Sequence, residues 1–254
     1  MSERITKAAT AVGADVTEEM LAKINKHTLH PLTAEEVYVY RVAMCDNKVD
    51  RDNEAFTRRA LDKLAELFVG RTMLSDHKWT ASGQVARIFD AKVEEADGET
   101  GTDERAVRLV ASCYLPRTPQ NADLITAIDA GIAKEVSVGC AVETCRCSVC
   151  GANKRKTWCE HRPGAEYEGA KCYVALDDPT DAYELSFVAV PAQPEAGVIK
   201  SYGAKRPEER GGNAGGEKVS ARIRTAEAFA FAKNKKSKEE RDNEQDYAQS
   251  VGAD

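Results

Sequence analysis

The feature that most constrains the fold is a succession of short segments rich in β-branched and aromatic residues, most of which follow one another without an intervening helix. Apolar and polar residues that alternate in this way are typical of half-buried strands. Six segments have this character: Val37–Met44, Val85–Val93, Val107–Leu115, Val136–Val142, Tyr173–Leu176 and Tyr183–Val190. Because strands and helices do not alternate regularly, the sequence predicts an α+β fold or a small barrel with flanking helices, and it disfavours a doubly wound sheet.

Two amphipathic segments between the predicted strands indicate helices. In Asn53–Phe68 the apolar residues form one stripe at helical spacing, with Asn53 as the predicted N-cap and Gly70 as the stop. Asn121–Ala130 is the second predicted helix. A shorter helix is predicted over Thr17–Ile24, with Thr17 as its N-cap, although a loosely attached arm is an equal alternative.

Composition divides the chain into three parts. Residues 1–34 are a polar, Ala-rich arm, residues 35–200 form the folded domain, and residues 201–254 are rich in Gly and charge, which predicts a flexible tail. At 254 residues the chain can bury a core without disulfides. Its net charge of −6 disfavours a general nucleic-acid binder.

No segment of the sequence predicts a membrane partner. A transmembrane helix needs a run of about 18 or more apolar residues, and none is present. The first residues also lack the apolar core of a signal peptide. We therefore expect a cytoplasmic location, where the eight cysteines stay reduced and clustered thiols more often bind metal than form disulfides.

A cysteine-rich insert over residues 145–172 interrupts the strands and predicts a structural zinc site. Cys147 and Cys150 form a C-x2-C pair, and Cys159 and His161 form a C-x-H pair directly after it. Such pairs on tight turns bring four soft or borderline ligands together, and Gly151 permits the turn. A closed set of four ligands leaves no position for water, so no catalytic metal is expected.

Two alternatives for this insert stay open. Cys145 and Cys172 are spare thiols that could compete as ligands, or the whole insert is a loop of reduced thiols. The basic run over residues 154–156 and the neighbouring Trp158 suggest nucleic-acid binding. A solvated loop between the ligands fits the acidic chain better, so a nucleic-acid partner is not expected.

The chain has only four histidines, and three of them remain for proton transfer if His161 binds metal. Of the four histidines, His27 and His30 lie in the polar arm, where surface positions are the ordinary interpretation. His77 differs because it follows an apolar segment whose end would present it at a rim. Ser137 lies in a predicted strand beside Gly139, whose missing side chain would let a substrate approach the backbone. A serine nucleophile needs a base and oxyanion donors nearby, and most strand serines have neither.

Four segments in a fixed order resemble the prohead (capsid maturation) protease family of tailed phages, which is itself similar to herpesvirus assemblin. They are DNKVDRDNEAF followed by the amphipathic helix, then MLSDH, KEVSVGCAV and YELSFVAVPAQPEA. The resemblance covers roughly residues 36–200. It implies that His77 is the general base and that Ser137 is the nucleophile.

Three acidic residues are candidates for the third catalytic position. Glu184 in the closing strand is the candidate for orienting the imidazole, as an acidic residue does in other serine hydrolases. Asp76 and Asp181 are the alternatives. Ser186 is a competing nucleophile, but its ordinary interpretation is a strand hydroxyl.

By resemblance, the chain is a serine endopeptidase that processes scaffold and major capsid proteins inside the assembling prohead, in the host cytoplasm. The resemblance also implies a compact β-barrel ringed by helices, a homodimer and a tail that is removed by self-cleavage or binds scaffold. Two rival functions remain. One is a zinc-containing module that binds nucleic acid or protein, and the other is a head-assembly protein that keeps the fold without activity.

Overall fold

The computed structural model describes residues 15–202. Residues 1–14 of the predicted arm and residues 203–254 of the predicted tail lie outside the described residues. Residues 15–202 contain three α-helices: α1 (Glu18–Ile24), α2 (Arg58–Phe68) and α3 (Ala122–Asp129). The first five strands are β1 (Val37–Asp46), β2 (Glu54–Phe56), β3 (Thr72–Ser75), β4 (Gln84–Glu95) and β5 (Val107–Pro116). The other five are β6 (Val136–Cys147), β7 (Glu166–Tyr167), β8 (Ala170–Lys171), β9 (Val174–Phe187) and β10 (Gly197–Tyr202).

Eight of these strands form one mixed, mostly antiparallel sheet, which confirms the α+β prediction. The strands follow the order β10-β1-β5-β4-β3-β9, with β2 and β6 also paired to β9. Strand β9 is long enough to pair with β6 along one edge and with β2 and β3, both parallel to it, at the two ends of its other edge. Strands β7 and β8 form a separate hairpin within the Cys-rich insert.

The expected closed barrel is wrong for residues 15–202. Strands β6 and β10 approach one another, but only through an isolated bridge between Glu135 and Gly197. The segment before β10 carries Pro191 and Pro194, which have no N–H to donate to a ladder. The sheet therefore curls without closing, and β6 keeps an edge that no other strand of the described part covers.

The core lies on both faces of β1. Tyr38, Tyr40 and Val42 point to the main cluster, in which the buried stripe of α2 packs against the strands. Val37 and Val39 point to a second cluster that also contains Ile24 of α1. The predicted arm therefore contributes a helix to the core, and its predicted N-cap Thr17 accepts a hydrogen bond from the Met20 N–H.

Helix α2 begins later than predicted. Asn53 has a left-handed φ of 58° and precedes the short strand β2, so it is a turn residue. Thr57 is the N-cap, because its hydroxyl accepts a hydrogen bond from the Ala60 N–H. Strand β10 was not predicted, and Ser201 and Tyr202, which were assigned to the tail, are its last two residues. No helix among the described residues is long and apolar enough to span a membrane.

Candidate active site and metal centre

Three adjacent strands bring the candidate catalytic residues to one face of the sheet. Ser137 on β6 lies opposite Ser186 on β9, and Gly139 lies opposite Glu184. Directly opposed residues of an antiparallel pair point to the same face, with Cβ atoms about 5 Å apart. Their neighbours Val136 and Leu185 point to the other face, into the core. Ser137, Glu184 and Ser186 therefore share the face that is turned away from the main core.

His77 reaches this face from the end of β3, which runs parallel to β9 on its other edge. Asp76 and His77 both have left-handed φ values, 54° and 51°, so the chain turns sharply after the strand. The His77 N–H donates a hydrogen bond of 3.2 Å to the Ser186 hydroxyl, which anchors the turn to β9. This turn places the imidazole over Glu184.

The imidazole and the Glu184 carboxylate form a close pair. His77 Nδ1 lies 2.7 Å from Glu184 Oε1, while Ser186 donates to Glu184 Oε2 at 2.5 Å. A carboxylate oxygen accepts hydrogen bonds, so the Nδ1–H of His77 is the natural donor to Glu184, and Nε2 is the ring nitrogen left for another partner. Glu184 is only 1% exposed, whereas the His77 side chain is 43% exposed. The ring is therefore held by a buried acid, while part of its own surface stays exposed.

The alternatives to Glu184 do not contact the imidazole. Asp76 pairs with Lys78, and Asp181 pairs with Arg71. Ser186 is fully buried and donates its hydroxyl hydrogen to Glu184, so it supports the acid. Within residues 15–202, no hydrogen bond occupies the Ser137 hydroxyl, and the structure does not join it to the His77 ring.

Gly139 has a different role from the one that its sequence context suggested. A Cβ atom at this position would lie 2.7 Å from Glu184 Oε1, closer than real Cβ contacts. The missing side chain therefore makes room for the carboxylate that holds His77. The sequence alone could not show this, because the two residues are 45 positions apart and meet only through strand register.

A cleft of about 300 Å³ lies beside β6, and Ser137 is one of its lining residues. Asp50 and Asp52, from the turn before β2, and Glu54, the first residue of β2, contribute to its wall. Burial raises the pKa of the Asp50 and Glu54 carboxyls above their ordinary values. The sequence analysis missed this acidic wall, although DNKVDRDN already showed three aspartates.

The free edge of β6 presents backbone groups to this region. The Val136 N–H donates away from β9, to the Ala196 carbonyl, while the Glu135 carbonyl accepts from Val188 on the β9 side. Because ladder groups alternate between the two edges of an antiparallel strand, the N–H and C=O of Val138 face the same free edge as those of Val136. An amide donor therefore lies directly after Ser137.

The predicted ligand set assembles into one cluster that could hold a metal ion. The ligand atoms of Cys147, Cys150, Cys159 and His161 all lie within 4.8 Å of one another. Cys159 Sγ lies 3.4 Å from both Cys150 Sγ and His161 Nδ1. A tetrahedron with Zn–S bonds of about 2.3 Å has edges of roughly 3.8 Å, so the separations fit a tetrahedral site.

Local backbone structure prepares this cluster for metal. The Gly151 N–H donates to the Cys147 carbonyl, and Gly151 has a left-handed φ of 71°, as the predicted turn requires. Burial raises the pKa of the Cys147 thiol, but hydrogen bonds from the N–H groups of Cys150 and Val149 and from Cys159 outweigh it and lower the pKa to about 6. A thiolate is the form that binds metal.

The spare residues of the insert have other roles. Cys145 is not part of the cluster, and Cys172 Sγ approaches only Cys147, at 3.9 Å. In the basic run, Lys154 donates to the His161 carbonyl and Lys156 pairs with Glu143. Two of the three basic side chains are therefore used within the protein, which fits the solvated-loop interpretation.

Comparisons of this chain with family models, with curated proteins and with solved structures found no match.

The sequence analysis did not single out Trp79 and Tyr183, which lie close to His77 and Glu184 in the chain. Both are large, exposed aromatic residues. Their only signal in the sequence is their position next to candidate catalytic residues.

Proposed function

We propose that this protein is a serine endopeptidase in which Ser137 is the nucleophile, His77 the general base and Glu184 the acid that orients the base. The observation that carries the proposal is the 2.7 Å contact between His77 Nδ1 and Glu184 Oε1, on the sheet face that Ser137 shares. A buried acid that holds one nitrogen of an exposed imidazole is the arrangement that serine hydrolases use.

The proposed reaction begins when a peptide carbonyl carbon is attacked by the Ser137 oxygen. His77 Nε2 takes the hydroxyl proton and then gives it to the leaving amine as the C–N bond breaks. Water, deprotonated by the same nitrogen, then releases the acyl group from Ser137. Glu184 stabilises the imidazolium, and the Val138 N–H is the nearest candidate donor to the oxyanion. The hydroxyl and the imidazole need to come together only in the substrate complex.

The biological setting is proposed from the four segments that resemble prohead proteases. On this basis the substrates are scaffold and major capsid proteins, and the protein acts as a homodimer inside the assembling prohead in the host cytoplasm. Self-cleavage within the tail belongs to the same proposal. The order of DNKVDRDNEAF, MLSDH, KEVSVGCAV and YELSFVAVPAQPEA along the chain supports it.

For the Cys-rich insert we propose a structural zinc ion held by Cys147, Cys150, Cys159 and His161. Four protein ligands would complete a tetrahedron, so the ion would fold the insert and take no part in the peptidase chemistry. The separations between the four ligand atoms support this assignment.

The test of the peptidase proposal is the reaction of Ser137 itself. A fluorophosphonate probe should label the wild type and the Ser82→Ala control, in which an exposed loop serine is removed, but not the Ser137→Ala variant. Intact mass of the full chain, expressed with a capsid protein as substrate, should show processing in the same two proteins only. Unchanged processing by Ser137→Ala would exclude Ser137 as the nucleophile.

Two other outcomes would indicate the rival functions. In the first of them, the wild type is neither labelled by the probe nor active on the capsid protein. If its gene then lies between portal and major capsid genes, an inactive structural role in head assembly is favoured. If the wild type instead binds DNA with an affinity that falls steeply as salt rises, a metal-containing binding module is favoured. The exposed Trp158, 85% accessible in the insert, is the residue that such a module would use.

A further inference from the structure

Two large aromatic side chains lie exposed beside the candidate active site and contact one another. Trp79 is 65% exposed and Tyr183 is 40% exposed, and their ring centroids are 5.8 Å apart in an edge-to-face arrangement. Neither residue belongs to the two core clusters. Single exposed apolar residues are ordinary, but contiguous exposed apolar surface is a frequent mark of a binding site, and these two rings contact one another. We call these two rings the aromatic platform.

The loop that carries Trp79 is held by its own hydrogen bonds. The Asp76 N–H donates to the Phe187 carbonyl and the Lys78 N–H to the Ser75 carbonyl. Thr80 caps a short 3-10 helix over Ala81–Gly83, and a Cβ atom at Gly83 would lie 2.5 Å from the Lys78 carbonyl oxygen. The chain therefore folds tightly back on itself after His77, and Trp79 is presented from an ordered loop.

Tyr183 is presented by an irregularity in β9. Gly139 pairs with Glu184 and Cys140 pairs with Ala182, so Tyr183 is an extra residue without a partner on β6. A β-bulge of this kind re-aims a side chain and is over-represented next to active sites. The bulge lies one residue before the acid that holds His77, so the contact between Trp79 and Tyr183 joins the same two segments as the contact between His77 and Glu184.

We propose that the aromatic platform is the subsite for a large apolar side chain of the substrate, on the C-terminal side of the cleaved bond. This inference rests on the proposed peptidase function. The general base gives its proton to the leaving amine, so the leaving segment must pass the imidazole. Trp79 follows that imidazole by two residues, and Tyr183 directly precedes its acid. A leaving segment that passes His77 therefore meets these rings first.

The occupant is an apolar side chain because the platform offers ring surface without a charge of its own. Lys78 and Asp76, the nearest charged residues in the loop, pair with one another at 3.1 Å. Burial of an aliphatic or aromatic side chain against two rings is favourable in proportion to the area removed from water. A hydrophobic contact of this size typically changes kcat/KM by about ten- to a hundredfold between preferred and non-preferred substrates.

The test compares cleavage preferences of the full-length wild type, Trp79→Ala and Trp158→Ala on a proteome-derived peptide library. Trp158 is the matched control, because it is the only other tryptophan and is exposed in the Cys-rich insert. We expect wild type and Trp158→Ala to prefer large apolar residues directly after the cleaved bond. Trp79→Ala should lose that preference, with kcat/KM for such peptides lowered about tenfold or more.

A second readout does not depend on turnover. In the double variant Ser137→Ala, Trp158→Phe, Trp79 is the only tryptophan. Peptides with a large apolar residue directly after the bond to be cleaved should shift the fluorescence of Trp79. Peptides with serine at the same position should not. If both the wild type and Trp79→Ala are active and share the same preference, the aromatic platform is not the subsite, while the peptidase proposal remains supported. A wild type that cleaves no peptide and does not react with fluorophosphonate would overturn both.

Discussion

At the scale of single residues, the candidate site depends on the room left for the Glu184 carboxylate as much as on its charge. The Glu184 carboxylate is buried, and its two oxygens are held by His77 and Ser186. It can occupy this position only because residue 139 has no side chain. A buried carboxylate that lost these partners would be costly, so Gly139, Glu184, His77 and Ser186 form one unit.

A Gly139→Ala substitution should therefore disturb the acid. The new methyl group would meet Glu184 Oε1, and overpacking of this kind costs about 1–3 kcal/mol in the free energy of unfolding. Urea unfolding followed by circular dichroism measures this cost. In a Glu184→Ala background the same substitution should cost much less, because the clashing oxygen is gone. Equal costs in the two backgrounds would contradict the steric explanation.

At the scale of elements, helix α2 joins the sheet through the cap that only the structure identified. Thr57 accepts from the Ala60 N–H and also donates to the Asp177 carboxylate, at 3.0 Å. The buried stripe was readable from the sequence, because helical spacing marks which residues share a face. The start of the helix was not, because strand β2 forms only when β9 is present to pair with it.

Thr57→Ala should lower the free energy of unfolding by about 1–2 kcal/mol, since it removes the cap and the bond to Asp177. Asn53→Gly removes the cap that the sequence predicted, and it should cost only a few tenths of a kcal/mol, because Gly also adopts a left-handed φ. Chemical denaturation of both variants checks the order. If Asn53→Gly lowered the free energy of unfolding more than Thr57→Ala does, Asn53 would be the N-cap, as the sequence predicted.

The Cys-rich insert makes a prediction about metal content. Native mass spectrometry should find one zinc ion per chain, and Cys150→Ser should lose it, because a structural zinc site needs all four ligands. Cys172→Ser is the matched control and should keep the ion, since Cys172 approaches only one ligand. Loss of zinc from the Cys172→Ser variant would show that Cys172 belongs to the ligand set.

At the scale of the whole molecule, β9 connects the candidate active site with the Cys-rich insert. Its C-terminal end carries Glu184 and Ser186, its N-terminal end pairs with the strand that carries Cys145 and Cys147, and its fourth residue is Asp177. Burial would raise the pKa of Asp177, but hydrogen bonds from Arg59, the Asp178 N–H and Thr57 outweigh it, and the pKa is lowered.

This shift predicts how global stability depends on pH. A carboxyl whose pKa is lower in the folded state stabilises the fold above its unfolded value, and the contribution is lost as pH falls through the folded value. Asp177→Asn should therefore cost about 1 kcal/mol at neutral pH, after allowance for the exposed Arg59. The cost should shrink below the ordinary carboxyl value of 3.8. Urea unfolding across a pH series measures it, and Asp62→Asn, on the exposed face of α2, should show almost no difference.

Local patterns in the sequence determined most of the strands, the amphipathic helices and the cluster of three cysteines and one histidine in the described part. Each of these depends on residues close in the chain: alternation within a strand, spacing within a helix, and paired ligands on one turn. The resemblance supplied His77, Ser137 and Glu184 as candidates, but not how they lie relative to one another.

Only the tertiary structure decided that the sheet stays open, that Glu184 contacts His77, and that Gly139 makes room for this pair. It also decided that the Trp79 and Tyr183 rings contact one another. These facts depend on strand register between segments 45 to more than 100 residues apart. A shift of two residues in that register would keep every side chain on its face but change its partners, so the alternation within a strand does not specify which register is formed.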